Sequence, residues 1–414
     1  MVSARFVPTR SRRLQIGVSI GYRADCKSAQ AKGEVINFNY KIMVISGIQQ
    51  VGIGVADVAE VFSWYRKAFG CDIKILDDDG VAERMLPYTG GKPQSRHAIL
   101  AINLRGGGGF EIWQPKGREL KYLTEKPRLG DIGIIACKVK CTDIERAYHH
   151  FKNMTASVQL ENVNKNPADK RLLDKTFQPA LVGSIEKNPI GKRHFFLYDP
   201  YGNLFEIEED EYVFAKEDKP TGGVNGVMIG VSDIKKSAHF YEYLLGYDIV
   251  EYDEIGVFND LLQVNGGEKR LHRLMLKPSA SLQGPLAEIM GPSHIELIHS
   301  PDIQPVKLYE NRWWGDPGFI HLCFDIRGMA DIRKLAESMG HPFVCDSGAD
   351  FQMGEADGHF TYVEDPDGVL IEFVETFKIP ILKRFGIFLN LKNKDAHKPL
   401  PRFITKALRF LKVK

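Results

Sequence analysis

A short segment that occurs twice constrains the fold of this 414-residue chain more than any other feature. Residues 362–375 read YVEDPDGVLIEFVE, and residues 198–208 read YDPYGNLFEIE. In the later copy, Asp365, Pro366 and Gly368 stand at the positions that a type I turn between two strands favours. The repeat therefore predicts a duplicated chain in which a tight turn and a strand end each half.

Both copies place a carboxylate inside an apolar strand. Strand alternation puts Glu372 on one face together with Leu370 and Val374, and Glu206 takes the same place in the earlier copy. A carboxylate with apolar neighbours needs a cationic partner if it is buried, and a metal ion can serve as that partner. The repeat thus indicates candidate metal ligands as well as a fold.

Composition restricts the class of protein. The chain has 43% hydrophobic and 26% charged residues, as ordinary globular proteins do. It lacks a run of about eighteen apolar residues, so no membrane-spanning helix is expected. The six cysteines are scattered without the spacing of a zinc or thiol redox motif. We interpret them as reduced packing residues of a cytoplasmic protein.

Positive charge is concentrated at the two ends. Residues 1–42 contain eight Lys/Arg against two acidic residues, and residues 377–414 contain eleven against one. Because the net charge of the whole chain is only +2, the part between them is acidic and offers no basic face for nucleic acid. Residues 1–42 are interpreted as a non-native extension before Met43, a disordered basic arm or a transit peptide. The first is preferred because a regular strand pattern follows Met43 at once.

The body of the chain reads as four copies of a β-α-β-β-β unit. The first unit opens with a strand over residues 48–55, followed by a helix that Asp57 caps and Gly70 ends. Residues 226–246, GVMIGVSDIKKSAHFYEYLLG, repeat residues 50–70, QVGIGVADVAEVFSWYRKAFG. The third unit is therefore predicted to fold as the first one does.

Two domains of two units each are predicted, at residues 43–212 and 213–376. Three connections, over residues 77–96, 162–192 and 263–292, are longer than a compact domain needs. We expect lids or substrate-binding insertions there.

These modules resemble those of the vicinal oxygen chelate (VOC) superfamily, which includes glyoxalase I, bleomycin-resistance proteins and extradiol dioxygenases. The resemblance rests on first strands reading x-V-x-I-x-V-x-D and last strands reading D-P-x-G-x-x-x-E, and it covers residues 45–376. It implies an α+β fold in which four βαβββ modules form two half-open barrels of mixed sheet. Each barrel of that family can hold a divalent metal, with two ligand positions in every module.

The resemblance assigns eight residues to the ligand positions. In module order these are Gln50 and Glu111, Ile134 and Glu206, Gly226 and Glu296, and His321 and Glu372. If neighbouring modules pair, each site lacks a ligand. If module one pairs with four and two with three, as in tandem glyoxalase I proteins, one complete metal site of Gln50, Glu111, His321 and Glu372 results. The second pairing is preferred, with one Zn, Ni, Co, Mn or Fe ion per chain.

The implied function is that of a glyoxalase-I-like metalloenzyme. It would perform lyase or isomerase chemistry on a small molecule with vicinal oxygens through a metal-stabilised enediolate. Glu372 first, and Glu111 second, would move the proton as catalytic residues. Gly54 and Trp113 are expected to line the substrate pocket. Because Gly54 stands where the family's glutathione-binding arginine would be, a glutathione hemithioacetal is not the expected substrate.

Two other functions stay open. An Fe(II)-dependent extradiol-type dioxygenase would need a second histidine, and Gly226 stands where that class places its first one. A non-catalytic small-molecule binding protein would need no metal at all. The metal content of the purified protein separates this last class from both enzymes.

The tail over residues 398–414, KPLPRFITKALRFLKVK, predicts a basic amphipathic helix. Its apolar positions are Phe403, Ile404, Ala407, Leu408 and Leu411. This helix could dock on the acidic body of the same chain. Alternatively, it could attach the protein peripherally to an anionic membrane.

Overall fold

The chain is known from a computed structural model that describes residues 43–164, 180–349, 351–353, 356–382 and 386–413. The three interpretations of residues 1–42 therefore lie outside the described residues, as does part of the connection over residues 162–192. None of the helices in these described ranges has the length and apolar character required to cross a bilayer.

The first two modules follow the predicted order of one strand, one helix and three strands. Module one consists of β1 (Val44–Gly54), α1 (Val58–Phe69), β2 (Ile73–Ala82), β3 (Gln94–Ile102) and β4 (Gly109–Pro115). Module two consists of β5 (Gly133–Cys141), α2 (Ile144–Asn164), β6 (Ala180–Lys187), β7 (Arg193–Tyr198) and β8 (Leu204–Glu209).

The last two modules add short elements to the same order. Module three consists of β9 (Val224–Gly230), α3 (Ile234–Leu245), β10 (Ile249–Gly256), β11 (Leu271–Lys277), α4 (Ala287–Met290) and β12 (His294–His299). Module four consists of β13 (Gly318–Arg327), α5 (Met329–Ser338), β14 (Cys345–Asp346), β15 (Phe351–Met353), β16 (Ala356–Glu364) and β17 (Leu370–Leu382). The tail adds β18 (Ile387–Asn390) and α6 (Arg402–Thr405). Short 3-10 helices span Leu86–Tyr88, Asn259–Leu261 and Lys406–Leu411.

The strands form two mixed sheets, and each sheet combines modules that are distant in sequence. The first sheet has the order β14-β16-β17-β13-β1-β4-β3-β2, with β15 on β16 and β18 on β17. The second has the order β10-β11-β12-β9-β5-β8-β7-β6. Antiparallel pairing of β1 with β13, and of β5 with β9, joins module one to four and module two to three. The predicted fold class is confirmed, and each sheet takes strands from both sequence halves, 43–212 and 213–376.

Local hydrogen bonds explain why the helices begin and end where the sequence predicts. The Asp57 carboxylate accepts hydrogen bonds of 2.9 Å from the backbone N–H groups of Ala59 and Glu60, which satisfies two free donors at the start of α1. Gly70 ends the same helix with φ 62°, in the left-handed region that glycine adopts without strain. Asp233 and Gly246 repeat both devices on α3.

Regular structure extends into all three long connections, including β6 in the described part of residues 162–192, whereas the lids or substrate-binding insertions expected there stay a prediction. Strands β2 and β3 continue into residues 77–96 as an antiparallel pair that ends at Ala82 and Gln94. Residues 263–292 contain β11 and α4. The outer part of β2 reads DDDGVA and is largely exposed, so it lacks the apolar alternation by which a strand is recognised.

The tail is not the single amphipathic helix that its pattern predicts. It forms the one-turn helix α6 and a 3-10 helix, and the Phe403 side chain, placed on the apolar face, is 76% exposed. Leu408 is buried against the body. The backbone N–H of Leu400 donates to Pro285 (3.0 Å) and that of Val413 to Asp72 (2.8 Å), so the tail is tied down on both sides of these turns. Ile404, Ala407 and Leu411 pack against the same cluster as Leu408, so the predicted apolar positions other than Phe403 face the body.

Candidate metal centre

Four side chains from four strands of the first sheet meet at one point. Gln50 comes from β1, Glu111 from β4, His321 from β13 and Glu372 from β17. Nε2 of His321 lies 3.2 Å from Oε2 of Glu111 and 3.2 Å from Oε2 of Glu372. Nε2 of Gln50 lies 3.4 Å and 3.3 Å from the same two oxygens. The pairing of modules one and four thus brings together all four residues that the sequence assigned to one site.

Strand register explains the convergence. Gly52 on β1 is paired with Glu111 on the parallel strand β4 and with His321 on the antiparallel strand β13. A Cβ atom at Gly52 would overlap the imidazole ring of His321. Glycine is therefore required at this position, because it lets the ring lie against the backbone of β1.

The buried polar atoms of this centre fit a divalent cation. Oε1 of Gln50 and Nδ1 of His321 are buried and find no hydrogen-bond partner among the described residues. Such atoms destabilise a fold unless something satisfies them. Ligand atoms of Glu111, His321 and Glu372 lie within 4.8 Å of one another. Two carboxylates, an imidazole and an amide oxygen form a donor set suited to zinc and to the neighbouring divalent transition metals.

The two carboxylates dominate the electrostatics of the centre. Burial by itself would lower the pKa of His321, but the charges of Glu372 and Glu111 raise it to about 9. The protein supplies no Lys or Arg partner to either carboxylate in the ion pairs formed by the described residues. The centre therefore has an excess of negative charge that a divalent ion would neutralise.

One side of the centre is filled by aromatic side chains. The ring of Trp314 stacks on that of His321, with centroids 6.3 Å apart and an interplanar angle of 18°. Trp113 packs edge-on against Trp314 with centroids 4.2 Å apart. A Cβ atom at Gly54 would overlap the backbone oxygen of Asp316. Gly54 and Trp113 therefore hold the loop before β13 and do not line the cavity beside the centre, in contrast to the sequence-based expectation.

The other side of the centre opens into a cavity of about 140 Å³. Gln50 and Glu372 form part of its wall, whereas Glu111 and His321 do not line it. A molecule in this cavity would therefore meet Glu372 before it met Glu111.

The second sheet has an equivalent centre that is closed by a lysine. Nζ of Lys138 lies 2.6 Å from Oε2 of Glu206 and 2.7 Å from Oε2 of Glu296, and all three side chains are fully buried. Arg273 pairs with Glu296 at 2.7 Å, and Nδ1 of His194 lies 2.8 Å from Glu206. Burial by itself would lower the pKa of Lys138, but Glu206 and Glu296 raise it above its ordinary value. A protein cation thus occupies the place between the two carboxylates.

The register corrects one sequence assignment in this second sheet. In the first sheet, His321 is opposite Gly52. Met228 takes the place of Gly52 in the second sheet, and the residue opposite Met228 is Ala136. Ala136 rather than Ile134 therefore stands at the histidine position. A register shift lies between Ile134 and Ala136, and a bulge of this kind leaves no mark in the sequence.

Sequence reasoning missed Lys138 altogether. The strand CKVKC carries Lys138 and Lys140 on one face of an otherwise apolar run, and both are buried in the structure. Lysines at alternate positions of a buried strand would have indicated an internal cation. Two of the four positions assigned to the second site are the acids Glu206 and Glu296, and Lys138 supplies the positive charge between them.

A family model matches the later part of the chain. Residues 223–373 match the model of the Glyoxalase/Bleomycin resistance protein/Dioxygenase superfamily, and they contain modules three and four. Over this segment the chain is similar to that superfamily, to which the resemblance of the modules also pointed.

Several solved structures are similar to this chain. A mutant of glyoxalase I from Zea mays has 14% sequence identity, with 81% of this chain and 94% of that chain covered and a TM-score of 0.47. A putative dioxygenase from Bacillus subtilis has 14% identity, with 80% and 85% covered and a TM-score of 0.48. No curated protein matches the sequence. Identities this low do not carry an activity from one chain to another.

Proposed function

We propose that this protein is a divalent-metal-dependent enzyme that performs lyase or isomerase chemistry on a small molecule with two adjacent oxygens. The convergence of Gln50, Glu111, His321 and Glu372 beside a cavity carries the proposal. A divalent ion in this donor set would supply Lewis-acid stabilisation of negative charge on the substrate oxygens. The metal is one of Zn, Ni, Co, Mn or Fe.

The protein's own side chains have distinct parts in this proposal. Glu372 lies in the cavity wall, so its carboxylate is placed to take a proton from a bound substrate and return it. Glu111 does not line the cavity and would be the second carboxylate to move a proton. Gln50 donates to both carboxylates and would fix their orientation. The aromatic packing of Trp314 on His321 keeps water from the other side of the centre.

The ligand set favours this reaction over an extradiol-type dioxygenase. Non-haem Fe(II) oxygenases use two histidines and one carboxylate, whereas the cluster formed by the described residues has one histidine and two carboxylates. The proposal also includes a reducing, cytoplasmic setting, since the five cysteines in the described part of the chain are all buried free thiols.

Proton exchange tests the proposal directly. Protein loaded with Zn²⁺ or Co²⁺ would be incubated in D₂O with a panel of α-hydroxyketones, and loss of the proton on the hydroxyl-bearing carbon would be followed by NMR. We expect metal-dependent exchange that Glu372→Gln abolishes and Glu206→Gln, the equivalent change in the second sheet, retains. Oxygen uptake with catechols would indicate the dioxygenase instead. If the metal-loaded protein shows no exchange and no oxygen uptake, a non-catalytic binding protein is favoured.

A further inference from the structure

The cavity beside the centre has one polar end and a long apolar wall. Gln50 and Glu372 form the polar end. The apolar wall includes Leu76, Leu100, Ile102, Ile289, Met290 and Leu408. A few polar groups, among them Asp357 and His359, are part of the remaining wall.

Three separate parts of the chain build the apolar wall. Leu76 and Ile102 belong to the hairpin of β2 and β3, Met290 belongs to α4, and Leu408 belongs to the tail. Leu408 and Met290 are 2% and 5% exposed and lie in one apolar cluster with Ile379 from β17. The wall is therefore a packed structure and not an accidental gap between loops.

The tail is held in place over this cavity by contacts on both sides of Leu408. Arg402 forms an ion pair of 2.6 Å with Glu288 of α4, which precedes Ile289 of the cavity wall. Lys412 pairs with Asp72 at 3.2 Å, just before β2. The tail thus joins α4 to the start of β2 and covers the apolar end of the cavity.

We propose that the substrate is an amphiphile, with its two adjacent oxygens at Gln50 and Glu372 and a hydrocarbon body in the cavity under Leu408. This inference rests on the proposed function. A polar body would leave its hydrogen-bonding groups without partners against these side chains, whereas each buried methylene improves affinity about fourfold. An apolar cavity of about 150 Å³ holds one benzene molecule, so this cavity of about 140 Å³ has room for roughly five carbons.

Alkyl hydroxamic acids are suitable probes because their two oxygens chelate a divalent ion and their chain length can be varied. Full-length protein loaded with Co²⁺ would be titrated calorimetrically with straight-chain hydroxamic acids from acetohydroxamic to decanohydroxamic acid. The matched primary amides, which lack the chelating pair, form a second series. We expect the Kd of the hydroxamates to fall about fourfold per carbon, by about 100-fold or more before it levels off near six carbons.

A cavity-filling variant tests whether the hydrocarbon chain binds in this cavity. Ile102→Trp places an indole in the apolar wall and should flatten the dependence of Kd on chain length. Ile255→Trp is the matched control, since Ile255 is a 65% exposed residue of β10 in the second sheet, and it should keep the slope. The slope, rather than the absolute affinity, is the measured quantity, and metal content is determined for each variant.

Every outcome decides between the two proposals. If acetohydroxamate binds but longer chains bind no better, the amphiphile is excluded while the metal centre stands. If affinity rises with chain length equally for hydroxamates and amides, the apolar site stands and the metal-dependent function falls. If neither series binds, both proposals are overturned. An unchanged slope in Ile102→Trp would likewise contradict this location for the hydrocarbon body.

Discussion

Among the differences between the two equivalent centres, one lysine decides how the buried carboxylates are neutralised. In the second sheet, Lys138 lies between Glu206 and Glu296 and supplies the positive charge that buried carboxylates require. In the first sheet, Cys323 takes the register position of Lys138, so no lysine stands between Glu111 and Glu372. The same fold thus provides an internal ion network in one sheet and a candidate metal site in the other.

Gly52→Ala should weaken metal binding without removing a ligand. The added Cβ atom would overlap the His321 ring, which is fully buried and packed against Trp314, so the ring must move away from Glu372. Displacing a ligand in this way costs about 10- to 100-fold in metal affinity. Competition with a fluorescent chelator measures the Kd for Co²⁺. Gly256→Ala, where a Cβ atom meets no neighbour, is the control, and equal affinities of the two variants would contradict the geometry.

Lys138→Met should destabilise the protein while leaving its metal content unchanged. Removing the ammonium leaves two fully buried carboxylates short of a partner, which costs about 3–5 kcal/mol in the free energy of unfolding. Lys277→Met breaks an exposed ion pair of the same 2.6 Å length and should cost about 1 kcal/mol or less. Urea unfolding compares the two variants. Similar losses in both would show that Lys138 is not the internal cation of the second sheet.

At the scale of the secondary-structure elements, hydrogen bonds from tyrosine hydroxyls connect helices to the turns of neighbouring modules. The Tyr65 hydroxyl on α1 donates to Asp199 at 2.7 Å, and the Tyr241 hydroxyl on α3 donates to Asp365 at 3.0 Å. Asp365 also accepts from the backbone N–H groups of Asp367 and Val369 within its turn. The aspartate that opens each turn therefore connects that turn to the helix of the preceding module.

Asp365→Asn should change the pH dependence of stability. Burial raises the pKa of Asp365 to about 6 from an ordinary value of 3.8, although its hydrogen bonds act in the opposite direction. Between these values the folded state holds the proton more tightly than the unfolded state. The contribution of this carboxyl is therefore fully present below about pH 4 and is lost as the pH rises through 6, by up to roughly 3 kcal/mol.

Unfolding by urea at several pH values between 4 and 7 measures this effect. The free energy of unfolding of the wild-type protein should fall more steeply with rising pH than that of Asp365→Asn. Asp199→Asn should repeat the result, because burial raises the pKa of Asp199 to about 6 as well. Parallel curves for the wild type and both variants would contradict the assignment.

Elements that obey local rules could be predicted from the sequence, and those fixed by distant contacts could not. The cap of Asp57 and the turn at Asp365 follow from hydrogen bonds within a few residues. The four ligand-type residues were assigned from the resemblance of the modules to the VOC superfamily. The register shift before Ala136 and the burial of Lys138 depend on partner strands far away in sequence. The conformation of the tail depends on Pro285 and Asp72 in the same way.

At the scale of the whole molecule, the two ends of the body meet in one sheet. Strand β1 near the start of the described chain pairs with β13 from the last module, and the tail then covers the cavity between them. Neither sequence half contains all four candidate ligands. Any function of this centre therefore requires both halves of the body to be folded together.

The tail also has a face that could contact a membrane. Phe403 and Phe410 are 76% and 55% exposed, and the basic side chains of Arg402 and Arg409 stand next to them. We propose salt-sensitive binding to anionic vesicles, which sedimentation with anionic and neutral vesicles measures. A variant with both Phe403→Ala and Phe410→Ala should lose it. Binding that does not depend on vesicle charge would contradict the membrane proposal. The tail would then be only a segment docked on the body, as in the structure.

Metal content tests the central claim most directly. The wild-type protein, His321→Ala and Glu206→Gln would be loaded with Co²⁺, desalted and analysed for metal per chain. We expect about one ion in the wild type, almost none in His321→Ala, and about one in Glu206→Gln, since among the described residues only the first sheet has a free donor set. No retained metal in the wild type, or equal loss in both variants, would contradict the assignment of Gln50, Glu111, His321 and Glu372 as the metal centre.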